Sequence, residues 1–223
     1  MILQVLHSHM AVPVPATLKP RKVSRQARSA ATVDAIFQAT IQVLLKEGAP
    51  RLTTTRVAER AGVSVGTMYQ YFPHKKALLY AVLQQHLETV AEAMEAACAC
   101  YAGHPLAVIS DGLVAAYLDA KTRQVATSRA LYSVAGELDT ADLIGGISRR
   151  VQGAIAPALA SASDAGFDDL DSVSFALRVV LAGTARAVLE RGATSSALVI
   201  LRKELPVVCR AYLSAASKPR RPH

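Results

Sequence analysis

The chain has 223 residues, of which 52% are hydrophobic, enough to fill the core of one large domain or of a small domain joined to a larger one. Three cysteines are too few for a disulfide framework, and no uninterrupted apolar run reaches the roughly 20 residues of a membrane helix, so we expect a cytoplasmic protein with no membrane partner. The net charge is +8, and residues 1–76 account for all of it, with 11 Lys and Arg against 3 Asp and Glu.

Residues 1–27 are expected to form a disordered leader that ends in a basic arm. The stretch KPRKVSRQAR (19–28) carries five positive charges and no negative one, which is typical of a flexible arm leading into a helix. A basic excess confined to one segment indicates a phosphate-binding surface, although a merely solvated basic surface gives the same charge count. The leader lacks the basic start of a signal peptide, and Met10 is an alternative start to Met1.

Three helices are predicted in residues 28–76. In the first, apolar residues recur at i, i+3, i+4 and i+7, which marks one face of an amphipathic helix that ends at Gly48. Gly62 fits a left-handed position after the second helix, and Ser64 caps a third helix that ends before Pro73. The core-type positions of the first helix are Val33, Ile36, Phe37, Thr40, Ile41, Leu44 and Leu45.

A helix, a glycine-containing turn and a second short helix form a helix-turn-helix pattern. Thr53 or Thr54 can cap the first helix of this pair. In the second, residues 64–72, we expect Met68 and Phe72 to face inward because they lie one turn apart. The outward surface would then present Val65, Gly66, Thr67, Gln70 and Tyr71, with Tyr69 at the flank.

This outward surface suits the major groove of DNA. Gly66 removes bulk where backbones must approach, Gln70 can hydrogen-bond a base edge with adenine favoured, and Val65 can meet a thymine methyl group. Lys75 and several hydroxyl groups can reach phosphate oxygens, and helix N-termini offer free N–H groups. An ordinary three-helix packing unit with surface tyrosines is the alternative. The hydroxyl groups belong to Thr54, Thr55, Thr67, Tyr69 and Tyr71.

The stretch LTTTRVAERAGVSVGTMYQYFPHKKALL resembles the DNA-binding signature of the tetracycline-repressor (TetR) family of bacterial transcription regulators. The matched features are the Thr-Thr pair, the AGVS turn, Gly-Thr at 66–67, Tyr-x-Tyr-Phe at 69–72 and Lys75 shortly before Ala-Leu. The match covers about residues 28–80. The resemblance implies an all-α fold in which this small domain sits on a larger helical domain that dimerises and encloses a small-molecule pocket.

The resemblance also implies roles for individual residues. Phosphate contacts are implied for Thr54, Tyr69 and Lys75. Minor-groove contact by Arg25 or Arg28 of the basic arm is a further hypothesis, since such an arm is not a universal feature of the family. Base or groove contacts are implied for Thr55, Val65, Gly66, Thr67, Gln70 and Tyr71, and Ser64 completes the predicted DNA-binding set.

Residues 77–218 are expected to form the larger ligand-binding and dimerisation domain, followed by a tail at 219–223. A long helix from His74 to about Tyr101 leads into it and would be about 40 Å long. No segment gives a period-two strand pattern, so we expect an all-α protein. The further helices are predicted at about 106–121, 127–138, 140–161, 169–191 and 196–215.

A palindromic operator requires a two-fold symmetric protein, so two copies must pair. The last two predicted helices are the most continuously apolar. Ala176, Val180, Gly183 and Ala187 form a stripe of small residues at helical spacing, which would let another helix approach closely, and Pro206 predicts a kink. Helices that only fill the core of one copy fit this pattern equally well, whereas the resemblance favours a homodimer.

An effector pocket should lie among the fourth to eighth helices and be mostly apolar with a few polar anchors. His86 interrupts the apolar face between Leu83 and Val90 and is the best candidate, although a satisfied core or surface histidine is the alternative. None of the candidates identifies the ligand. The further candidates are Tyr117, Arg123, Tyr132 and Arg178.

The cysteine-containing stretch CACYAGH (98–104) does not predict a metal site, because residues i and i+2 on a helix point about 200° apart. No nucleophile elbow, P-loop or dinucleotide fingerprint occurs, so we expect neither an enzyme nor a cofactor. The sequence therefore predicts a ligand-responsive, homodimeric transcription regulator, most simply a repressor, that binds its operator through residues 64–72. The alternatives are an effector-independent architectural DNA-binding protein and a helical interaction module.

Overall fold

A computed structural model describes residues 27–220, with side chains from Ser29 onward. The predicted leader, Arg25 and the side chain of Arg28 therefore lie outside the described residues. Within them the all-α prediction is confirmed. The helices are α1 (Ala27–Glu47), α2 (Thr54–Ala61), α3 (Val65–Tyr71), α4 (Lys75–Tyr101), α5 (Leu106–Thr122), α6 (Val125–Ala135), α7 (Ala141–Ala160), α8 (Leu170–Glu190) and α9 (Ser195–Ala216), and a short 3-10 turn occupies Ala49–Arg51.

The first three helices form a small N-terminal head whose turn follows the predicted chemistry. Gly62 adopts φ 68° and ψ 28°, the left-handed conformation that glycine tolerates without a steric cost, and its N–H closes the end of α2. Met68 and Phe72 are fully buried, as predicted from their spacing, and the Phe72 ring lies 5.7 Å from that of Phe37 on α1. The Gly62 turn thus joins α2 to α3, and the two rings hold the end of α3 against α1.

One predicted core position of α1 is wrong. Leu45 is 47% exposed, whereas its neighbours Val43 and Leu44 are buried. The helix faces two different partners, because α2 covers one side and α6 approaches another. Leu45 lies at the edge of this second contact, where it borders an open groove.

The remaining helices pack as a C-terminal body around α4 and α5. Helix α4 lies against α5 and α7, α5 lies against α9, and α8 packs between α7 and α9. By length and composition alone, one helix in the described part of the chain, α8, could cross a membrane, with a mean hydropathy of 1.5 over its most apolar window. A third of that window is buried inside the body, and core helices of globular proteins pass the same test.

Two short strands that the sequence did not predict join the end of the chain to the α7–α8 connection. Strand β1 (Ala165–Gly166) pairs antiparallel with β2 (Lys218–Pro219). Arg220 extends this attachment, since its guanidinium donates to the carbonyl of Ala162 at 2.7 Å. Strands of two residues carry no periodicity, so only the folded chain reveals them.

The α4–α5 connection depends on a close approach at Gly112. A Cβ atom built at this position would lie 2.2 Å from the Tyr101 ring, so any side chain would force that ring to move. We predict that Gly112→Ala lowers the free energy of unfolding by about 1–3 kcal/mol, because overpacking displaces a partly buried ring. Gly153→Ala is the matched control. Gly153 is an exposed helical glycine with open space around it, and its substitution should stabilise by about 0.5–1 kcal/mol. Urea unfolding of both variants tests this; equal effects would contradict it.

Candidate DNA-binding surface and interior polar cluster

Ser64 caps the N-terminus of α3. The Ser64 hydroxyl accepts a hydrogen bond from the Thr67 N–H at 3.0 Å and lies 2.9 Å from the Thr67 hydroxyl. Val65 and Tyr69 are 41% and 42% exposed, and Gly66 and Gln70 are exposed as well. These four residues are therefore exposed as predicted, and two of them, Val65 and Tyr69, are large apolar or aromatic groups in contact with solvent.

Tyr71 departs from the predicted surface. It is only 5% exposed, and its hydroxyl lies 2.7 Å from the Ser29 hydroxyl on α1. The predicted outward orientation of Tyr71 is wrong because it follows Met68 by three residues, which places both on the same inner face of a short helix. The head uses this tyrosine to join α3 to α1.

The threonines at the start of α2 differ in their roles. Thr53 is the cap, since its hydroxyl accepts from the Arg56 N–H at 3.3 Å. Thr54 is 8% exposed and donates its hydroxyl to the Tyr69 oxygen at 3.3 Å, while Thr55 is exposed. The buried Thr54 hydroxyl thus orients the phenol of Tyr69, which is the group that reaches the surface.

Lys75 is half-buried at the start of α4, where its ammonium group donates to the carbonyl of Ala49 in the 3-10 turn. An ammonium group has three donors, so this contact leaves two for other acceptors. His74 caps the same helix, and its Nδ1 accepts from the Ala77 N–H at 3.1 Å. The contact made by Lys75 ties α4 to the segment that joins α1 and α2.

A second group of polar residues meets inside the C-terminal body, and we call it the interior polar cluster: His86 on α4, Tyr117 and Lys121 on α5, Ser128 and Tyr132 on α6, and Arg178 on α8. His86 lies with Nε2 3.3 Å from the Ser128 hydroxyl, which in turn donates to the Lys121 carbonyl at 2.8 Å. Burial, and then the nearby charge of Lys121, lower the pKa of His86 to about 4. The imidazole is therefore neutral at physiological pH.

Lys121 is the most unusual member of the cluster, since it is only 3% exposed. Burial lowers its pKa to about 8, and within the described part of the chain no carboxylate pairs with it. Its ammonium group instead lies 5.2 Å above the centre of the Tyr132 ring. A buried ammonium group costs several kcal/mol, whereas a desolvated cation–π contact returns about 2 kcal/mol, so the charge remains undercompensated.

The other predicted pocket residues divide between the cluster and the surface. Tyr117 is buried, and burial followed by the proximity of Tyr132 raises its pKa, while the nearby Arg178 lowers it. The Nε of Arg178 is buried without a hydrogen-bond partner among the described residues, although the guanidinium lies 5.2 Å from the Phe175 ring centre. Arg123 is exposed at the end of α5, so its predicted place in an interior pocket is wrong: the helix ends there and the side chain points into solvent.

Sequence reasoning missed Lys121 and Ser128. A signal existed for Lys121, because it follows Leu113, Tyr117 and Leu118 on the buried stripe of α5 at helical spacing. Because Lys121 lies in the last turn of α5, however, the sequence favours a solvated side chain there. Nothing in the spacing of Ser128 distinguishes it from a surface serine.

An open groove of about 640 Å³ lies between the head and the body, where α1, α6 and α8 meet. Tyr132 forms part of its wall, so one aromatic ring borders both the groove and the Lys121 ammonium group. The groove is lined by Leu44, Leu45, Ala126, Arg129, Ala130, Tyr132, Ser133, Leu189 and Glu190.

The cysteines provide no metal site among residues 27–220, where no group of three potential ligands forms. Cys98 and Cys209 are buried and Cys100 is exposed. Burial raises the pKa of Cys98 and of Cys209 to about 11, so both thiols stay protonated.

Known proteins resemble both parts of the chain. Residues 36–82 match the family described as bacterial regulatory proteins of the tetR family, and residues 105–213 match a tetracyclin repressor-like C-terminal domain. The chain belongs to the TetR family. It is a DNA-binding transcription regulator and not an enzyme.

Two curated TetR-type proteins are similar to part of the chain. The repressor KstR of Mycolicibacterium smegmatis is 42% identical over 55 residues, and the uncharacterised regulator YvkB of Bacillus subtilis is 41% identical over 51 residues. Each match spans about a quarter of this chain, and the chain spans 27% of each relative's own length.

Solved structures are similar over most of the chain. A TetR-family regulator from Streptomyces coelicolor has a TM-score of 0.58 at 22% identity, covering 83% of this chain and 99% of that one. The fatty acid degradation regulator FadR of Bacillus halodurans has a TM-score of 0.64 at 14% identity, covering 89% of this chain and all of that one. At these identities the likeness concerns the fold.

The pKa of His86 gives a test of the interior polar cluster. Because the unfolded imidazole titrates near pH 6.5 and the folded one near 4, the unfolded chain binds more protons between these values. The contribution of neutral His86 to the free energy of unfolding should therefore be complete above pH 6.5. It should decrease by about 2–3 kcal/mol as the pH drops towards 4. We predict that His86→Gln flattens the pH dependence of urea unfolding in this window. His104→Gln, at an exposed histidine, should leave it unchanged.

Proposed function

We propose that this TetR-family regulator is a homodimeric repressor that binds a palindromic operator through α3 and releases it when a small effector occupies the C-terminal body. The observation that carries the proposal is the exposed, capped α3, which lies within residues 1–76, the segment that holds the whole charge excess of the chain. The similarity of a 55-residue stretch of the chain to KstR, which is named a transcriptional repressor, supports repression over activation. Such a protein works in the bacterial cytoplasm, at its operator.

In this proposal the surface of α3 reads bases while residues around it hold phosphates. Gln70 and Val65 are exposed on one side of α3 and supply a hydrogen-bonding amide and an apolar contact for base edges. Tyr69, oriented by Thr54, and Lys75 supply a hydroxyl group and a charge for phosphate oxygens. Gly66, Thr67, Thr55 and Ser64 complete the DNA-facing surface, whereas Tyr71 supports it from inside.

Dimerisation through α8 and α9 is supported by an apolar face that the body leaves open. Large apolar side chains are exposed on both helices, although each helix also buries a second face in the core. Ala176 and Val180 are half-buried and Gly183 is exposed beside them, which would let a partner helix approach α8. The exposed apolar residues are Phe175, Val179, Val199, Ile200, Val207 and Val208.

The proposed signal passes along α4, because this one helix carries both Lys75 in the head and His86 in the interior polar cluster. The two residues are about 16 Å apart along the helix axis, at 1.5 Å per residue. An effector that binds the body would tilt α4, and the tilt would change the distance between the two α3 helices of a dimer. The effector shifts this equilibrium only as far as its affinities for the two orientations of α4 differ.

An architectural DNA-binding protein without an effector is the second candidate. It accounts for the basic head but not for a body with a buried, unpaired cation. It also predicts retention of DNA without a preferred sequence.

Selection of random and genomic DNA on the full-length protein at physiological salt tests the DNA-binding part. We expect a palindrome with half-sites about one helical turn apart, or a multiple of it. Gln70→Ala should relax the preference at one position of each half-site, since it removes a base contact, whereas Lys75→Ala should weaken all sequences alike and lower the salt slope by about one. Retained DNA without a common motif would favour the architectural candidate, and identical profiles for the two variants would contradict the assigned roles.

The dimer face is tested by placing a charge on it. Ile200 is 61% exposed, so Ile200→Glu should leave the fold intact but put a carboxylate into an apolar interface, which we expect to weaken dimerisation by more than tenfold. Sedimentation velocity over a range of concentrations measures this. Val108→Glu is the matched control, because Val108 is 40% exposed on α5. A wild-type monomer, or equal effects of both variants, would contradict the proposed face.

A further inference from the structure

The interior polar cluster contains two cationic side chains and no carboxylate to balance them. Lys121 is buried, and acidic residues on α4, α5 and α8, the helices that contribute to the cluster with α6, already have partners. Asp119, two positions along α5, receives a hydrogen bond from Arg202 at 2.9 Å, and Glu190 on α8 pairs with Arg186 at 2.7 Å. On α4, Glu88 pairs with Arg150. The described chain therefore supplies no anion to Lys121, although folding has removed it from water.

A second basic group faces the same interior. Arg178 has a buried Nε without a hydrogen-bond partner among the described residues, and its charge acts on Tyr117, one turn before Lys121 on α5. Tyr117 and Tyr132 bring hydroxyl donors into the cluster. Two cations and two phenols are suited to a carboxylate, which accepts several hydrogen bonds at once.

The groove between head and body provides the approach to this cluster. Tyr132 is shared, since its ring lies against the Lys121 ammonium group and also forms part of the groove wall. Leu44 and Leu45 from α1 line the same groove, and the leucine side chains offer an apolar surface in it. A molecule with one charged end and an apolar body matches this arrangement.

We propose that the regulator takes an organic acid with an apolar body as its effector, with the carboxylate held by Lys121 beside Tyr132 and the apolar part in the groove against Leu44 and Leu45. The proposal rests on the ligand response put forward above and deepens it by naming the class of ligand. Since α1 belongs to the DNA-binding head, an acid bound here touches the head directly. It neutralises the interior charge and changes how α1 lies against α6.

The test measures thermal unfolding of the full-length protein without DNA. Octanoate and phenylacetate are each compared with their neutral amides, octanamide and phenylacetamide. We expect at least one acid to raise Tm by about 3 °C or more at saturation, and its amide to raise it far less. Lys121→Met should abolish the shift, Lys121→Arg should retain part of it, and Lys218→Met, at an exposed lysine of the same body, should leave it unchanged.

A second variant keeps the proposal testable if Lys121→Met does not fold. Leu45 is 47% exposed, so Leu45→Ser should fold normally. It should weaken octanoate binding several-fold more than butyrate binding, because a shorter chain offers less apolar surface to the leucines. Equal shifts by acid and amide, a full shift in Lys121→Met, or no shift with either acid would overturn the proposal.

Operator binding separates this inference from the proposed function. If the protein binds a palindrome but no carboxylate, the proposed ligand class is refuted and the proposed role as a transcription regulator is not. A protein whose Tm rises with octanoate in a Lys121-dependent way, yet whose operator is not released, supports the carboxylate site and refutes its role as an effector site.

Discussion

Helix α4 is the constraint on which the rest of the structure depends, because one continuous helix is shared by the head and the body. Its start is fixed by the His74 cap and by the contact of Lys75 with Ala49, and its later turns are buried against α5 and α7. Its Glu88 and Glu95 hold Arg150 of α7 from two sides. A helix packed along this length moves as a unit, so a displacement in the body reaches the head.

The head achieves its exposed surface by burying aromatic groups behind it. Phe72 and Tyr71 face α1, and the bond between the Tyr71 and Ser29 hydroxyls satisfies the polar end of the second ring. Val65, Tyr69 and Gln70 can then stand in solvent on so short a helix, because its inner face supplies the packing energy. Thr54 supports an exposed group in the same way, because its buried hydroxyl donates a hydrogen bond to the phenol oxygen of Tyr69.

The body combines a dense apolar core with a cluster of polar groups that the core alone does not require. An apolar residue at position 121 would avoid the desolvation of an ammonium group, so the lysine is costly to stability where it stands. Groups with strongly perturbed pKa values cluster at functional sites, which makes Lys121 a candidate ligand-binding group. This cost separates Lys121 from His86, which is neutral and bonded to Ser128 and is therefore compatible with a purely structural role.

The sequence by itself determined the helices and the head, because these follow from local chemistry: the 3.6-residue period, the Ser64 cap, the left-handed Gly62 and the proline after α3. It also identified the family, since the turn and α3 are contiguous in the chain. Only the tertiary structure decided which face of α3 holds Tyr71, that Leu45 borders a groove, and that Arg123 points to solvent. Those outcomes, like the meeting of Lys121 with Tyr132, depend on helices far apart in the chain, and periodicity along one helix cannot specify what packs against it.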